Sequence, residues 1–276
     1  MGLRFSKMHG AGNDFVMLDL RGGRPAPQPA LVRAIGDRHR GVGFDQLLTI
    51  EDSDRPGCLA RYRIWNGDGS PARQCGNGAR CVAAWLVRDG AARSTRFALD
   101  SPAGVIEVEQ VDATRFALDM GRPEFAPARI PLRMPRESVH YFAELEGESF
   151  DFGACAMGNP HALLLVEDVA RAPVQRLGPA LQASALFPEG VNVGFAQVLA
   201  SDRIALRVFE RGAGETLACG SGACAAVAIL ARQGRVGREV AVQLPGGQLD
   251  ISWPSDHEAL RMSGPTSFVF EGEWCD

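Results

Sequence analysis

Gln74–Val82 reads QCGNGARCV, and Ala218–Ala226 reads ACGSGACAA. Each is Cys-Gly, a small polar residue, Gly-Ala, and then a second cysteine among apolar residues. The two stretches stand about half a chain apart. Each opens a run with helical character, Asn77–Arg88 (NGARCVAAWLVR) and Gly220–Arg232 (GSGACAAVAILAR). The second run is apolar on nearly every face, and such a helix is buried all round. Upstream of each lies a strand-like run and a glycine-rich turn, WNGDGSPARQ over Trp65–Gln74 and ERGAGETLA over Glu210–Ala218. A strand–turn–helix unit met twice predicts duplication of one α/β half.

The rest of the chain fits that expectation. Short β-like runs dominate, among them Phe15–Asp19, Gln46–Ile50, Ala60–Trp65, Val105–Glu109, Phe116–Met120, Ala162–Val166, Ile204–Glu210, Val240–Leu244, Leu249–Trp253 and Phe268–Phe270. Several alternate apolar and polar residues, as half-buried strands do. Pro29–Arg38 and Pro173–Ser184 read as amphipathic surface helices. Strands on both sides of each apolar helix predict a sheet wrapped around it. A boundary is expected near Gly121–Pro135, which carries Pro123, Pro127, Pro131 and Pro135.

With 276 residues, 46% of them hydrophobic and 22% charged, the composition is that of an ordinary soluble globular protein. A net charge of −4 lacks the basic surplus of a nucleic-acid binder. Met1–Asp19 has no apolar core of a signal sequence, and Ala223–Ala231 is far too short to span a bilayer. A cytosolic protein is expected, with no membrane partner and its seven cysteines reduced. Seven is odd, which argues against a fully paired disulfide framework.

Cys75 and Cys219 each precede a glycine-rich turn that opens a helix. Unpaired N–H groups and the positive dipole end of a helix favour an anion there and lower the pKa of a thiol. The same groups can hold a substrate carboxylate, and glycine lets it approach the backbone. Two such thiols on opposite sides of one cleft match the needs of stereoinversion. One base removes an α-proton from one face, and one acid delivers a proton to the other. Pyridoxal phosphate would need a lysine Schiff base, yet all but one of the 29 basic residues are arginine. The exception, Lys7, lies outside any such motif. Cys58, Cys81, Cys155, Cys224 and Cys275 read as small core residues. Zinc ligands come in closer pairs than 75/81 or 219/224. Asn13, Gln46, Asn66, Asn159, His161, Asn192, Glu210 and Arg211 stand at turns or strand ends. By chemistry alone Gln46, Asn66 and Asn192 serve a ligand or a turn equally, Asn13 and Asn159 read as turn residues, His161 as an ordinary strand-edge residue, and Glu210–Arg211 as a surface ion pair by default.

KMHGAGNDF (Lys7–Phe15), QCGNGARC (Gln74–Cys81), MGNPH (Met157–His161), NVGF (Asn192–Phe195) and ERGAGETLACGSGACA (Glu210–Ala225) closely resemble diaminopimelate epimerases. So do LPGG (Leu244–Gly247) and SGP (Ser263–Pro265), and the resemblance runs from about residue 3 to about 272. It implies a cofactor-free and metal-free isomerase that interconverts LL- and meso-diaminopimelate, a precursor of lysine and peptidoglycan. Cys75 and Cys219 match the catalytic thiols. His161 and Glu210 match side chains near the reacting amino group. Gly76–Asn77 and Gly220–Ser221 match the turns that hold the reacting carboxylate. Asn13, Gln46, Asn66, Asn159, Asn192, Glu210 and Arg211 match substrate-binding positions. Arg211 suits the distal carboxylate, and a pocket built to pair both distal groups rejects amino acids that lack them.

The resemblance also implies an α+β fold of two pseudo-symmetric duplicated domains, each a curved, mostly antiparallel sheet around a central helix. Their expected spans are 1–120 with 265–276, and 121–264. A homodimer is implied, with Phe270 at the interface where tyrosine is more usual. Ser221 replaces a more usual threonine and keeps the hydroxyl. Two other readings compete: a proline, hydroxyproline or phenazine-type relative within the same superfamily, and a metal- or redox-sensing protein. Glu210–Arg211 and Asn159-Pro-His favour the epimerase, because they suit a distal zwitterion.

Overall fold

The alternation seen in the sequence becomes strand, and the two apolar runs become the helices those strands enclose. The computed structural model describes residues 2–72, 75–145 and 147–275. In chain order it forms β1 (Leu3–Gly10), β2 (Asn13–Asp19), α1 (Pro29–Gly36), β3 (Gln46–Glu51), β4 (Cys58–Asn66), β5 (Pro71–Ala72) and α2 (Gly76–Arg88). Then come β6 (Arg96–Ser101), β7 (Gly104–Gln110), β8 (Arg115–Asp119), β9 (Tyr141–Leu145), β10 (Glu148–Ala156) and β11 (Pro160–Leu165). The chain continues through α3 (Val174–Gln182), β12 (Asn192–Ala200), β13 (Arg203–Glu210), β14 (Gly214–Thr216), α4 (Gly220–Arg232), β15 (Glu239–Leu244) and β16 (Gly247–Ser252). It ends with β17 (Arg261–Pro265) and β18 (Ser267–Trp274). The fold is α+β, and two compact units divide it: Met1–Asp119 with Ser263–Asp276, and Met120–Met262.

In the first unit β1 pairs antiparallel with β2 and β18. Next, β2 runs parallel to β3, β3 antiparallel to β4, and β4 antiparallel to the short β5. After α2 the chain returns as β6, parallel to β4, and continues antiparallel through β7 and β8. Ala60, Tyr62 and Ile64 of β4 point inward at alternate positions. The α2 helix packs against β1, β2, β3 and β8. Cys81, Val82, Ala83 and Leu86 are buried along it.

The second unit repeats, in order and direction, the pairings that run from β1–β2 to β6–β7. Here β10 is antiparallel to β11, β11 parallel to β12, β12 antiparallel to β13, and β13 antiparallel to the short β14. After α4 comes β15, parallel to β13, and then β16, antiparallel to β15. Ile204, Leu206 and Val208 of β13 point inward, as their counterparts on β4 do. The α4 helix touches β10, β11, β12, β13 and β16 and is buried from Gly222 to Leu230. That is why its sequence lacks a polar face. Backbone comes so close that a Cβ on Gly153 of β10 would lie 2.1 Å from Ile229 Cγ2. The duplication expected from two short motifs is thus a repeat of strand order and direction over each unit.

Candidate functional site

Each unit brings its polar candidates to one end of its sheet. In the first, Phe15, Gln46 and Asn66 stand in register across β2, β3 and β4. Asn13 starts β2, Gln46 starts β3, and Asn66 ends the antiparallel β4. Gln46 Nε2 donates to Asn66 Oδ1 at 3.2 Å, and Asn66 Nδ2 donates to Ser70 Oγ at 3.1 Å. The β1–β2 hairpin turns through Ala11 and Gly12, both at positive φ (51° and 84°), which sets Asn13 at the strand's first position. Arg73 and Gln74, just before the first cysteine, lie outside the described residues.

Cys75 is the N-cap of α2, with extended backbone (φ −153°, ψ 102°), and Gly78 N–H donates to its sulfur at 3.3 Å. The thiol also meets Asn13 Oδ1 at 3.6 Å, and Asn77 Nδ2 donates to the same oxygen at 3.2 Å. The buried Lys7 ammonium binds the Asp14 carboxylate and the Gly43 carbonyl. Burial alone would raise the pKa of Asp14, but Arg38 and Lys7 outweigh it and hold the carboxyl down at about 2. The charge of Lys7 is therefore committed to structure.

In the second unit His161 pairs in register with Asn192 at the start of β11 and β12. Glu210 ends β13, one place beyond the Val193–Phe209 pair. Gln46 and Asn192 thus occupy equivalent places in the two repeats, as do Asn66 and Glu210. Cys219 is the N-cap of α4 and 4% exposed. Its sulfur donates to Glu210 Oε2 at 3.1 Å and lies 3.7 Å from Ser221 Oγ. The Thr216 hydroxyl donates to Glu210 Oε1. Burial and then the Glu210 carboxylate push the Cys219 thiol pKa well above its ordinary value. Ser221 and the Gly222 N–H act the other way without overcoming them.

His161 is 2% exposed, and its Nε2 lies 3.0 Å from Asn159 Oδ1. Burial, and then the nearby Arg211 charge, push its pKa down to about 3, so the ring is neutral near pH 7. Asn192 is equally enclosed. Its Nδ2 donates to the Pro160 carbonyl at 3.2 Å, and its Oδ1 accepts from the Arg211 backbone N–H at 2.9 Å. Arg211 Nη1 donates to the Glu189 carbonyl at 2.7 Å. Glu210 therefore faces Cys219 and Thr216.

Cys81, Cys155 and Cys224 are buried, as their apolar neighbours predict, but the same expectation fails at the sheet's margins. Cys58 begins β4 and is half-buried, and Cys275 follows the last strand and is exposed. A residue at a strand's end has neighbours on too few sides to be enclosed. Thr216 and Asp45 touch the site residues although sequence reasoning singled out neither. Asp45 sits immediately before Gln46 and accepts from Asn13 Nδ2 at 2.7 Å. Phe270 is half-exposed on β18 and packs edge-on to Phe5, ring centroids 5.9 Å apart. Among the described residues no three His, Cys, Asp or Glu side chains are grouped to hold a metal ion, and no helix is long and apolar enough to cross a membrane.

The model of the family described as "Diaminopimelate epimerase" matches residues 5–126 and 153–269. A diaminopimelate epimerase of Xanthomonas axonopodis pv. citri (strain 306) is 59% identical over 273 residues, covering 99% of this chain and 96% of that one. An O-ureido-serine racemase of Streptomyces lavendulae is 57% identical over 272 residues, covering 98% and 94%. Among solved structures, a probable proline racemase of Agrobacterium radiobacter K84 shares the fold at TM-score 0.70 and 17% identity, covering 99% of this chain and 93% of that one. A PhzF-family phenazine biosynthesis protein of Bacillus anthracis does so at TM-score 0.70 and 13% identity, covering both chains in full. Two cysteines capping the buried helices of a duplicated chain, joined to this likeness along nearly its whole length, make the protein an isomerase belonging to the diaminopimelate epimerase family.

Proposed function

We propose that the protein interconverts LL- and meso-diaminopimelate, with Cys75 and Cys219 as the two groups that remove and deliver the α-proton. The observation that carries this reading is the repeated placement of a thiol at the N-cap of a buried helix. First-turn N–H groups at Gly76–Asn77 and Gly220–Ser221 suit the reacting carboxylate and the negative charge that grows on it during deprotonation. The engagement of Lys7 by Asp14 and Gly43 is consistent with chemistry that uses no Schiff base.

The two thiols start from different states. Cys219 donates its proton to a carboxylate, so it is poised as a thiol. A thiolate there is opposed by the charge of Glu210, until a proton or the substrate ammonium neutralises that carboxylate. Cys75 receives an amide N–H from the first turn of its helix, which favours the thiolate. In this reading Cys75 begins as base in one direction, Cys219 in the other, and Glu210 couples arrival of the substrate ammonium to the acidity of Cys219. His161, held neutral, and Asn159 line the same end of their sheet. Asn13, Gln46, Asn66, Asn192 and Arg211 orient the substrate, with Arg211 for the distal carboxylate. We place the enzyme in the cytoplasm as a homodimer with Phe270 at the interface, which sedimentation of wild type and Phe270→Asp would test.

The deciding experiment is incubation with LL-diaminopimelate in D₂O without added pyridoxal phosphate, beside Cys75→Ser and Cys219→Ser. α-Deuterium and meso product from wild type, with inversion lost in both variants, support the assignment. Absence of exchange by folded, reduced wild type overturns it. The 57% identical O-ureido-serine racemase favours a second reading, a substrate whose far end is a neutral ureido group. Comparing kcat/KM for the two amino acids separates the readings, since a guanidinium placed for a distal carboxylate discriminates strongly against a neutral end.

A further inference from the structure

Cys75 lies beside a chain of amide groups whose two ends carry opposite charges. Arg80, fully buried on α2, donates from Nη2 to Asn77 Oδ1 at 2.8 Å. Asn77 Nδ2 donates to Asn13 Oδ1 at 3.2 Å. Asn13 Nδ2 donates to Asp45 Oδ2 at 2.7 Å. A guanidinium only donates and an ionised carboxylate only accepts. Arg80 therefore requires the Asn77 oxygen, which turns the Asn77 NH₂ towards Asn13 and leaves the Asn13 NH₂ for Asp45. Reversing either amide sets donor against donor at one joint and acceptor against acceptor at another. The orientation that survives presents Asn13 Oδ1, an acceptor, to the Cys75 thiol 3.6 Å away.

Asp45 is itself fixed. Its Oδ1 accepts from Arg38 at 2.8 Å, and its Oδ2 also accepts from the Asp14 backbone N–H at 3.1 Å. Its own N–H donates to Asp14 Oδ1 at 2.9 Å. Arg38 bridges both carboxylates, and Lys7 closes the cluster on Asp14.

We infer that Asp45, from outside the reacting groups, positions the Asn13 amide so that its oxygen faces Cys75, and that Arg80 fixes the same orientation from the other end. Asn13 then favours the protonated thiol, against the Gly78 N–H, which favours the thiolate. The balance sets how readily Cys75 takes up and gives back a proton. Tyr62 of β4 and Cys81 of α2 also lie within electrostatic reach of Cys75, and burial holds both neutral. They supply no opposing charge. The inference rests on Cys75 being the reacting thiol for its catalytic meaning, but the orientation can be read without any substrate.

The test is site-resolved alkylation of Cys75 by iodoacetamide across pH 6–10, followed by mass spectrometry, on substrate-free protein. In Asp45→Asn the acceptor at the end of the chain is no longer guaranteed, so the Asn13 NH₂ can turn to the sulfur. The alkylation midpoint of Cys75 is expected to fall by about one pH unit, a tenfold gain in rate below the midpoint. Asp45→Glu keeps a carboxylate and is expected to restore most of the wild-type midpoint. Arg38→Gln, at a side chain 55% exposed, guards against a folding failure and is expected to shift the midpoint the same way by less. Unchanged midpoints in folded Asp45→Asn and Arg38→Gln would overturn the inference, as would a rise in either. Loss of epimerisation without a shifted midpoint would count against it too, leaving the epimerase reading intact.

Discussion

The Cys219 thiol points at Glu210 Oε2 across 3.1 Å, and the cysteine is nearly sealed from water. Burial and the carboxylate together favour S–H over S⁻. Removing the charge while keeping the shape separates them. Glu210→Gln should lower the Cys219 midpoint in the same alkylation assay, because only the burial penalty remains. Turnover should nevertheless fall by about 100-fold or more, since the group that links substrate charge to thiol acidity is gone. A variant with normal turnover would show that Glu210 is only a structural partner of Thr216 and Cys219.

Acid should unfold the protein through His161. The ring stays neutral in the native state to about pH 3, whereas in the unfolded chain it takes up a proton near its ordinary value of about 6.5. Its stabilising contribution is complete above 6.5 and is lost as pH falls from 6.5 towards 3. The slope is about 1.4 kcal/mol per pH unit for one proton. Asp14, with its native pKa near 2, adds a second loss only between about 3.8 and 2. Urea unfolding from pH 7 to pH 4 should therefore show about one proton taken up on unfolding, and His161→Gln should flatten that dependence. An equally steep curve in the variant would assign the proton elsewhere.

These groups were legible in the sequence to different depths. The two Cys-Gly turns identified both capped helices, because a helix start leaves a local signature of small residues. Strands β4, β13 and β15 were visible by alternation, and β2 as a short apolar run. Strands β1, β10 and β12 were not singled out. Their runs LRFSKMHG, ESFDFGACA and NVGFAQVLA mix glycine, alanine and polar residues at positions that the structure largely buries. There, close backbone approach replaces bulky side chains, and periodicity fades. The partners of Asn13 and Glu210 were hidden for another reason. Asp45 lies 31 residues from Asp14, whose backbone it bonds, and Thr216 reaches Glu210 across the tight β13–β14 turn. Such pairings are properties of register, which no local pattern encodes.

Gly153 shows how tightly the second unit closes on α4. A Cβ there meets Ile229 Cγ2 at 2.1 Å, a contact that neither a β-strand nor a buried helix can relieve without moving. Gly153→Ala should destabilise by about 1–3 kcal/mol through overpacking. Ile229→Ala alone should cost about 2–5 kcal/mol through the cavity it leaves. In the double variant the new methyl enters space that Ile229 vacates, so the combined loss should be smaller than the sum. Urea midpoints of the four proteins measure this directly, and strict additivity would mean that the two residues do not press on each other.

Asn192 has both ends of its amide engaged before any substrate arrives: Nδ2 with the Pro160 carbonyl, and Oδ1 with the Arg211 backbone N–H. Its effect on substrate should therefore run through Arg211, whose side chain is steadied separately by the Glu189 carbonyl. Asn192→Ala strands the buried Pro160 carbonyl and the partly buried Arg211 N–H and should cost about 1–3 kcal/mol of stability. If Arg211 receives the distal carboxylate, the same variant should raise KM for diaminopimelate more than it lowers kcat, because binding of the far end is disturbed and proton transfer is not. Asn192→Asp keeps an acceptor for the Arg211 N–H while giving up the donor to Pro160. It should therefore retain more of the affinity than Asn192→Ala, although its carboxylate now faces a carbonyl and stability still falls. Should both variants lower kcat at unchanged KM, Asn192 would belong with the groups around the reacting carbon rather than with those that hold the far end.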